Sequence, residues 1–236
     1  MRQRRVLVRP TSVRMRMRLA LTVVVAFAAG CSADAPRPVE TPDVRWDGAA
    51  PSGSIEQNPW VKAVRAGELA LATATNSANY TDRALLDTWR EEHVHRAAER
   101  AARRLDDGSS YVLLGPSPFA PLAVEVEPSK DRAVVRGCAD AAATEPEVDM
   151  GPGPWPQAFE FRLERSPDGQ RRIRGASGLQ EPFMLPSGQS LTDEYCASIE
   201  IPRGTFDPAP DVEAFRQLRA SDVLLPPTPS PTSAGK

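Results

Sequence analysis

The chain has 236 residues, 41% hydrophobic and 25% charged, with three cysteines, two histidines and 24 prolines against 15 glycines. These proportions exclude collagen, a coiled coil, a multi-span membrane protein and a wholly disordered chain, and they fit one globular domain with tails. Residues 1–30 hold seven arginines and no acid, so the remainder carries 22 basic and 31 acidic side chains, a net charge of −9 that disfavours nucleic acid as a partner.

The leader is a basic stretch ending at Arg18, then the apolar run Leu19 to Ala29, then Gly30-Cys31. A run of eleven residues is too short for a hydrocarbon core of roughly 30 Å, which needs about 20 residues, so it reads as the hydrophobic part of a secretory signal. Ala28-Ala29-Gly30-Cys31 resembles a bacterial lipobox, with Ala28 where that motif usually has Leu. The resemblance implies that residues 1–30 are removed and that Cys31 is diacylated, anchoring the chain in the lipid bilayer on the extracytoplasmic face of the cell membrane. Conventional cleavage near the same place, or an uncleaved anchor, are the alternatives. Arg4-Arg5 also fits a twin-arginine signal, which a start at Met15 or Met17 would remove. If Cys31 carries lipid, Cys138 and Cys196 remain as a pair in an oxidising compartment, and a disulfide is expected.

From Cys31 to Gln57 the chain is rich in Pro, Asp, Gly and Ser, with no apolar periodicity, and reads as a disordered tether; the tail 226–236 reads likewise. The segment between, 58–225, is long enough for one packed core.

Asn58-Pro59 starts a first helix with an apolar stripe of Trp60, Val64, Gly67, Leu71 and Ala74. A second helix runs from a Thr81 cap, with Tyr80 and Leu85 as a hydrophobic staple, to Asp106-Asp107 and a Gly108 stop. Its stripe is Leu85, Trp89, His93, Ala97, Ala101 and Leu105, and Glu92/Arg96 and Glu99/Arg103 are spaced to pair on its solvated side.

After Gly115 the period falls to two. Leu122, Val124 and Val126 face inward; Pro128 to Asp131 turns, and Ala133 to Cys138 returns. A second hairpin puts Phe159, Phe161 and Leu163 on one face, turns at Ser166-Pro167-Asp168-Gly169, and returns through Ile173. Tyr195, Ala197, Ile199 and Ile201 alternate as a further strand, and Asp211 to Leu218 forms a short helix.

Helices followed by antiparallel strands predict an α+β fold, with N-terminal helices packed on a curved antiparallel sheet. The helix pair, the hairpin with DRAVVRGCAD and the pair FEFRLERSPDGQRRIRG resemble the exported NTF2-like lipoproteins of actinobacteria over residues 58–201. That resemblance implies a cone of helices around a bent sheet, a scaffold that hosts isomerases, cyclases and plain interaction modules alike.

Chemistry is sparsely marked. His93 and His95 point apart on a helix, and neither H-E-x-x-H nor C-x-x-C occurs, so no metal or other cofactor is expected. His93, Trp89 and Tyr111 are the candidate cavity-lining residues, although a histidine on an apolar stripe is more commonly a hydrogen-bonded core residue. His95 reads as solvated surface, and Arg171-Arg172-Arg174 as charges that solvate an edge. No acid falls at an assigned inward strand position, so no catalytic residue is assigned. The expected function is a non-catalytic, lipid-anchored binding module for an envelope protein. The alternatives are a receptor for a small apolar ligand in the cone, or an isomerase- or cyclase-like enzyme using His93 and an unlocated carboxylate.

Overall fold

A computed structural model describes residues 39–147 and 155–226; the leader, Cys31 and residues 227–236 lie outside it. In chain order the elements are β1 (Asp43–Trp46), α1 (Pro59–Ser77), α2 (Arg83–Thr88), α3 (Glu91–Asp107), β2 (Val112–Leu113), β3 (Phe119–Val126), β4 (Arg132–Ala139) and β5 (Thr144–Glu145). They continue with β6 (Gln157–Arg165), β7 (Arg171–Gly178), β8 (Phe183–Met184), β9 (Ser190–Leu191), α4 (Asp193–Cys196), β10 (Gly204–Asp207) and α5 (Val212–Arg216). Strands β3-β4-β6-β7 form an antiparallel meander; β1-β10, β2-β5 and β8-β9 form separate pairs. The fold is α+β. Among the described residues no helix is long and apolar enough to cross a membrane.

The meander follows from its two turns. Lys130 (φ 63°) and Gly169 (φ 85°) take the left-handed backbone that closes each reversal. One sheet face carries Phe119, Val135, Phe161, Leu163 and Ile173 against Trp60, Val61, Val64, Leu85 and Trp89 of the helices, all buried. The Phe119 and Phe161 rings meet edge to face at 5.0 Å. The other face is covered at one end, where Ala123, Cys138 and Ala158 pack against Leu185, Leu191, Cys196 and Ile201. A Cys138–Cys196 disulfide fastens α4 to β4 there.

Helix α1 starts where the sequence marks it, with the Asn58 side chain accepting from the Trp60 amide at 2.9 Å. The second helix departs from expectation in two ways. Its cap is Asp82, which accepts from the Ala84 amide, because the Thr81 hydroxyl is taken by Asn79 at 2.7 Å. It also breaks. Trp89 is extended (φ −120°, ψ 151°), and the Arg90 amide donates to the Ile173 carbonyl of β7 at 3.0 Å instead of to the helix. Meanwhile the Trp89 indole N–H donates to the Gly67 carbonyl at 2.9 Å. Two long-range hydrogen bonds therefore override the helical pattern. Beyond the break, α3 is rotated so that Val94 and Ala98 are its buried pair, while Ala97, Ala101 and Leu105 pack only partly. Glu92 consequently pairs with Arg90, and Glu99 with a half-buried His95, rather than with Arg96 and Arg103.

Other expectations are corrected. Residues 43–46, assigned to a tether, are a strand: Val44 and Trp46 pair with Phe206 and Gly204 across β1-β10, a four-residue match too short to register as periodicity. The stretch from Tyr195 to Ile201 is not a strand, because Thr192 caps α4 through the Tyr195 amide and Asp193 and Glu194 occupy its first turn. Leu122 is skipped in the register at a bulge between Pro121 and Ala123 and packs on the disulfide side, and Val126 is exposed.

At Gly67 α1 lies close against β7 and Trp89. A Cβ there would lie 2.5 Å from Ile173 Cδ1 and 3.0 Å from Trp89 Nε1, and both side chains are buried. Gly67→Ala gains about 1 kcal/mol of helix propensity but forces overpacking of roughly 1–3 kcal/mol. The variant is expected to unfold at lower urea concentration with a perturbed tryptophan environment; an equal or higher midpoint would refute the close approach.

Candidate functional site

The space between the helices and the central sheet is filled by side chains, and the openings lie around it. Three concern function.

The first lies beneath α1. Helix α1 carries Val61, Val64, Glu68 and Ala72 at helical spacings, all buried, so Glu68 projects from an otherwise apolar face. Its side chain lines a cavity of about 200 Å³ with Tyr80, Tyr111, Ser117, Arg100 and Arg104. The loop between β2 and β3 contributes Ser117 to that cavity, and Asn76 holds β2 in place by donating to the Leu113 carbonyl (2.7 Å) and accepting from the Leu113 amide (2.8 Å). Burial pushes the Glu68 carboxyl up to about 7, against opposing effects from the Ser117 hydroxyl and the Arg65 charge. Arg65 itself is held by two bonds to Glu56, at 2.7 and 3.2 Å. The Tyr111 hydroxyl accepts from Arg104 at 2.8 Å, and that guanidinium also lies over the ring. Burial also raises the Tyr80 hydroxyl, which contacts Thr75 at 3.3 Å.

The second opening, about 190 Å³, is lined by Trp89, His93, Leu71, Arg100 and Ala176. His93 is half-buried, and its Nδ1 lies 3.1 Å from an Arg96 nitrogen, an arrangement suited to a neutral ring that accepts. Burial, then the Arg96 charge, lowers its proton affinity. The three cavity residues expected from sequence are thus divided: Trp89 and His93 line this opening, and Tyr111 lines the other. The openings share Leu71, Ala97 and Arg100 as walls, so the buried carboxylate and His93 do not face one another in a single cavity.

The third is a trough of about 400 Å³ outside the sheet, walled by Val39, Pro42, Phe206, Pro208, Phe215 and Leu218, with α1 contributing Asn76. Its charged lining residues are both acids, Glu40 and Asp211. The basic cluster is not a free patch: Arg171 lies 5.0 Å over the Trp60 ring, and Arg172 pairs with Asp168 at 3.0 Å. Among the described residues no group of three or more His, Cys, Asp and Glu is placed to hold a metal. Cys31 lies outside the described residues.

Sequence reasoning missed Glu68 because it followed the stripe through Gly67 and Leu71 and left the acid beside it unassigned. The available signal was spacing, since Glu68 lies four residues from both Val64 and Ala72.

The Glu68 carboxyl dictates a pH dependence. In the unfolded chain it ionises near 4.5, and in the folded protein near 7. The folded state therefore holds a proton that the unfolded state has lost between those values. Stability falls as pH rises through that window, by about 3 kcal/mol in all, and is level above it. Glu68→Gln is expected to remove this decline and to raise the urea midpoint at pH 8; an unchanged pH profile would show that the carboxyl is not desolvated.

The sequence matches no family model and no curated protein. Among solved structures, the crystal structure of the intermembrane space region of the chloroplast protein ARC6 is similar over 56% of this chain and 100% of that one, with 14% identity and a TM-score of 0.31. A likeness at that score carries neither fold family nor function.

Proposed function

We propose that the chain is a lipid-anchored, extracytoplasmic binding module of the cell envelope, built on an NTF2-like arrangement of helices and sheet, and that it docks another protein in the trough beside β10 and α5. The observation that carries this reading is where the apolar space lies. The helix-to-sheet interior is occupied by Phe119, Phe161, Leu163, Ile173 and Trp60, whereas an apolar opening of about 400 Å³ lies at the periphery. A trough in the range of ligand sites, about 300–1,000 Å³, with apolar walls and few polar groups suits recognition better than covalent chemistry.

The leader and Cys31 supply the anchoring part of the reading. With Glu40 and Asp211 at the trough, the fitting partner is an apolar segment flanked by basic residues.

Two measurements test this. Mass spectrometry of the protein from its native membrane is expected to find an acylated N-terminal Cys31 without residues 1–30; a retained leader would defeat the anchoring. A photo-crosslinking residue at the exposed trough position Ala214 is expected to capture a discrete envelope protein in intact cells, while the same residue at Lys130 does not. Lipid adducts alone would favour the small apolar ligand instead, and equal capture from both positions would reject the trough.

A further inference from the structure

We propose that the cavity beneath α1 is a binding site for a small zwitterion, of the size and charge arrangement of a free aliphatic amino acid, with its ammonium on Glu68 and its carboxylate on Arg100 and Arg104. The site is separate from the trough and does not depend on the anchoring of the chain.

The inner end is acidic. Glu68 is 9% exposed, lines the cavity and is bonded to the Ser117 hydroxyl. Among the described residues no cation lies at ion-pair distance from it, and the Arg65 charge that it senses is already committed to Glu56. A buried carboxylate without a counter-charge is costly, and an incoming ammonium would relieve that cost.

The outer end is basic. Arg100 is exposed on α3, lines the same cavity and has no carboxylate at ion-pair distance among the described residues. Arg104 gives one N–H to Tyr111 and retains others, because a guanidinium carries five. Two guanidinium groups at the mouth suit a carboxylate, to which an arginine can bind through two parallel hydrogen bonds. An amine alone would meet their repulsion, and an anion alone would meet Glu68. Only a ligand bearing both charges satisfies both ends. The walls between them, Leu71, Ala97 and Leu113, are apolar, which fits an aliphatic side chain. A volume of about 200 Å³ lies below the range usual for drug-sized ligands, about 300–1,000 Å³.

The ionisation of Glu68 gives a readout independent of affinity. Its carboxyl is partly protonated near neutral pH, so seating an ammonium there expels a proton to the buffer. Of the other groups lining the cavity, Tyr80 is held protonated by burial.

The test is isothermal titration calorimetry of the full chain in detergent against the twenty free L-amino acids, at pH 7 and pH 9, in two buffers of different ionisation enthalpy. At least one small aliphatic amino acid is expected to bind, releasing protons at pH 7 and none at pH 9. Glu68→Gln is expected to lose at least tenfold in affinity together with the proton release. Arg100→Ala is expected to weaken the amino acid severalfold but not its amide, which lacks the carboxylate. Absence of binding by all twenty, unaltered affinity in Glu68→Gln, or binding at pH 7 without proton release would each overturn the assignment.

Discussion

The contact on which this structure turns is the meeting of Trp89, Gly67 and Ile173. The indole N–H reaches across to the Gly67 carbonyl, and the next amide along the chain, that of Arg90, bonds to β7. The absence of a side chain at Gly67 lets these elements come together, since a single added carbon would lie within 2.5 Å of Ile173. One junction therefore sets the distance of α1 from the sheet, the place where the second helix breaks, and the direction in which α3 leaves. Buried hydrogen bonds of this kind contribute modestly when made and cost more when left unmade, so the junction is specified more strongly than its net energy suggests.

Both helix-side cavities follow from that junction. Because α3 is turned relative to α2, Val94 and Ala98 enter the core and His93 is left at a rim. The same turn sets Arg100 and Arg104 over the face of α1 that carries Glu68. A continuous helix would have held His93 on the Trp89 stripe. The chain thus separates a near-neutral carboxyl from a histidine that burial disfavours charging, and it surrounds the carboxyl with tyrosine and arginine instead.

The sheet is covered unequally. Its helix face is filled by aromatic and branched side chains, while its other face is closed at one end by the β8-β9 pair and α4, fastened by the disulfide. Elsewhere on that face Arg136 bridges Glu125 and Glu160 and lies 4.2 Å over the Phe183 ring, so a charged surface replaces an apolar one. Strands β1 and β10 pair with each other, and the trough is walled by Val39 and Pro42 just ahead of β1 together with Phe206 of β10 and Phe215 of α5.

The sequence by itself determined the α+β class, the Asn58 cap, the Gly108 stop, both hairpin turns, the short C-terminal helix and the cysteine pairing. Each of these is encoded within a few residues, or, for the cysteines, by parity once one is set aside. Only the tertiary structure decided the break at Trp89, the pairing of residues 43–46 and the burial of Glu68. These depend on partners far along the chain: a carbonyl on β7, a strand at Gly204–Asp207 and a serine in the loop before β3. Local propensities are worth only fractions of a kcal/mol per residue, and such distant contacts outweigh them wherever backbone or carboxyl groups must be satisfied out of water.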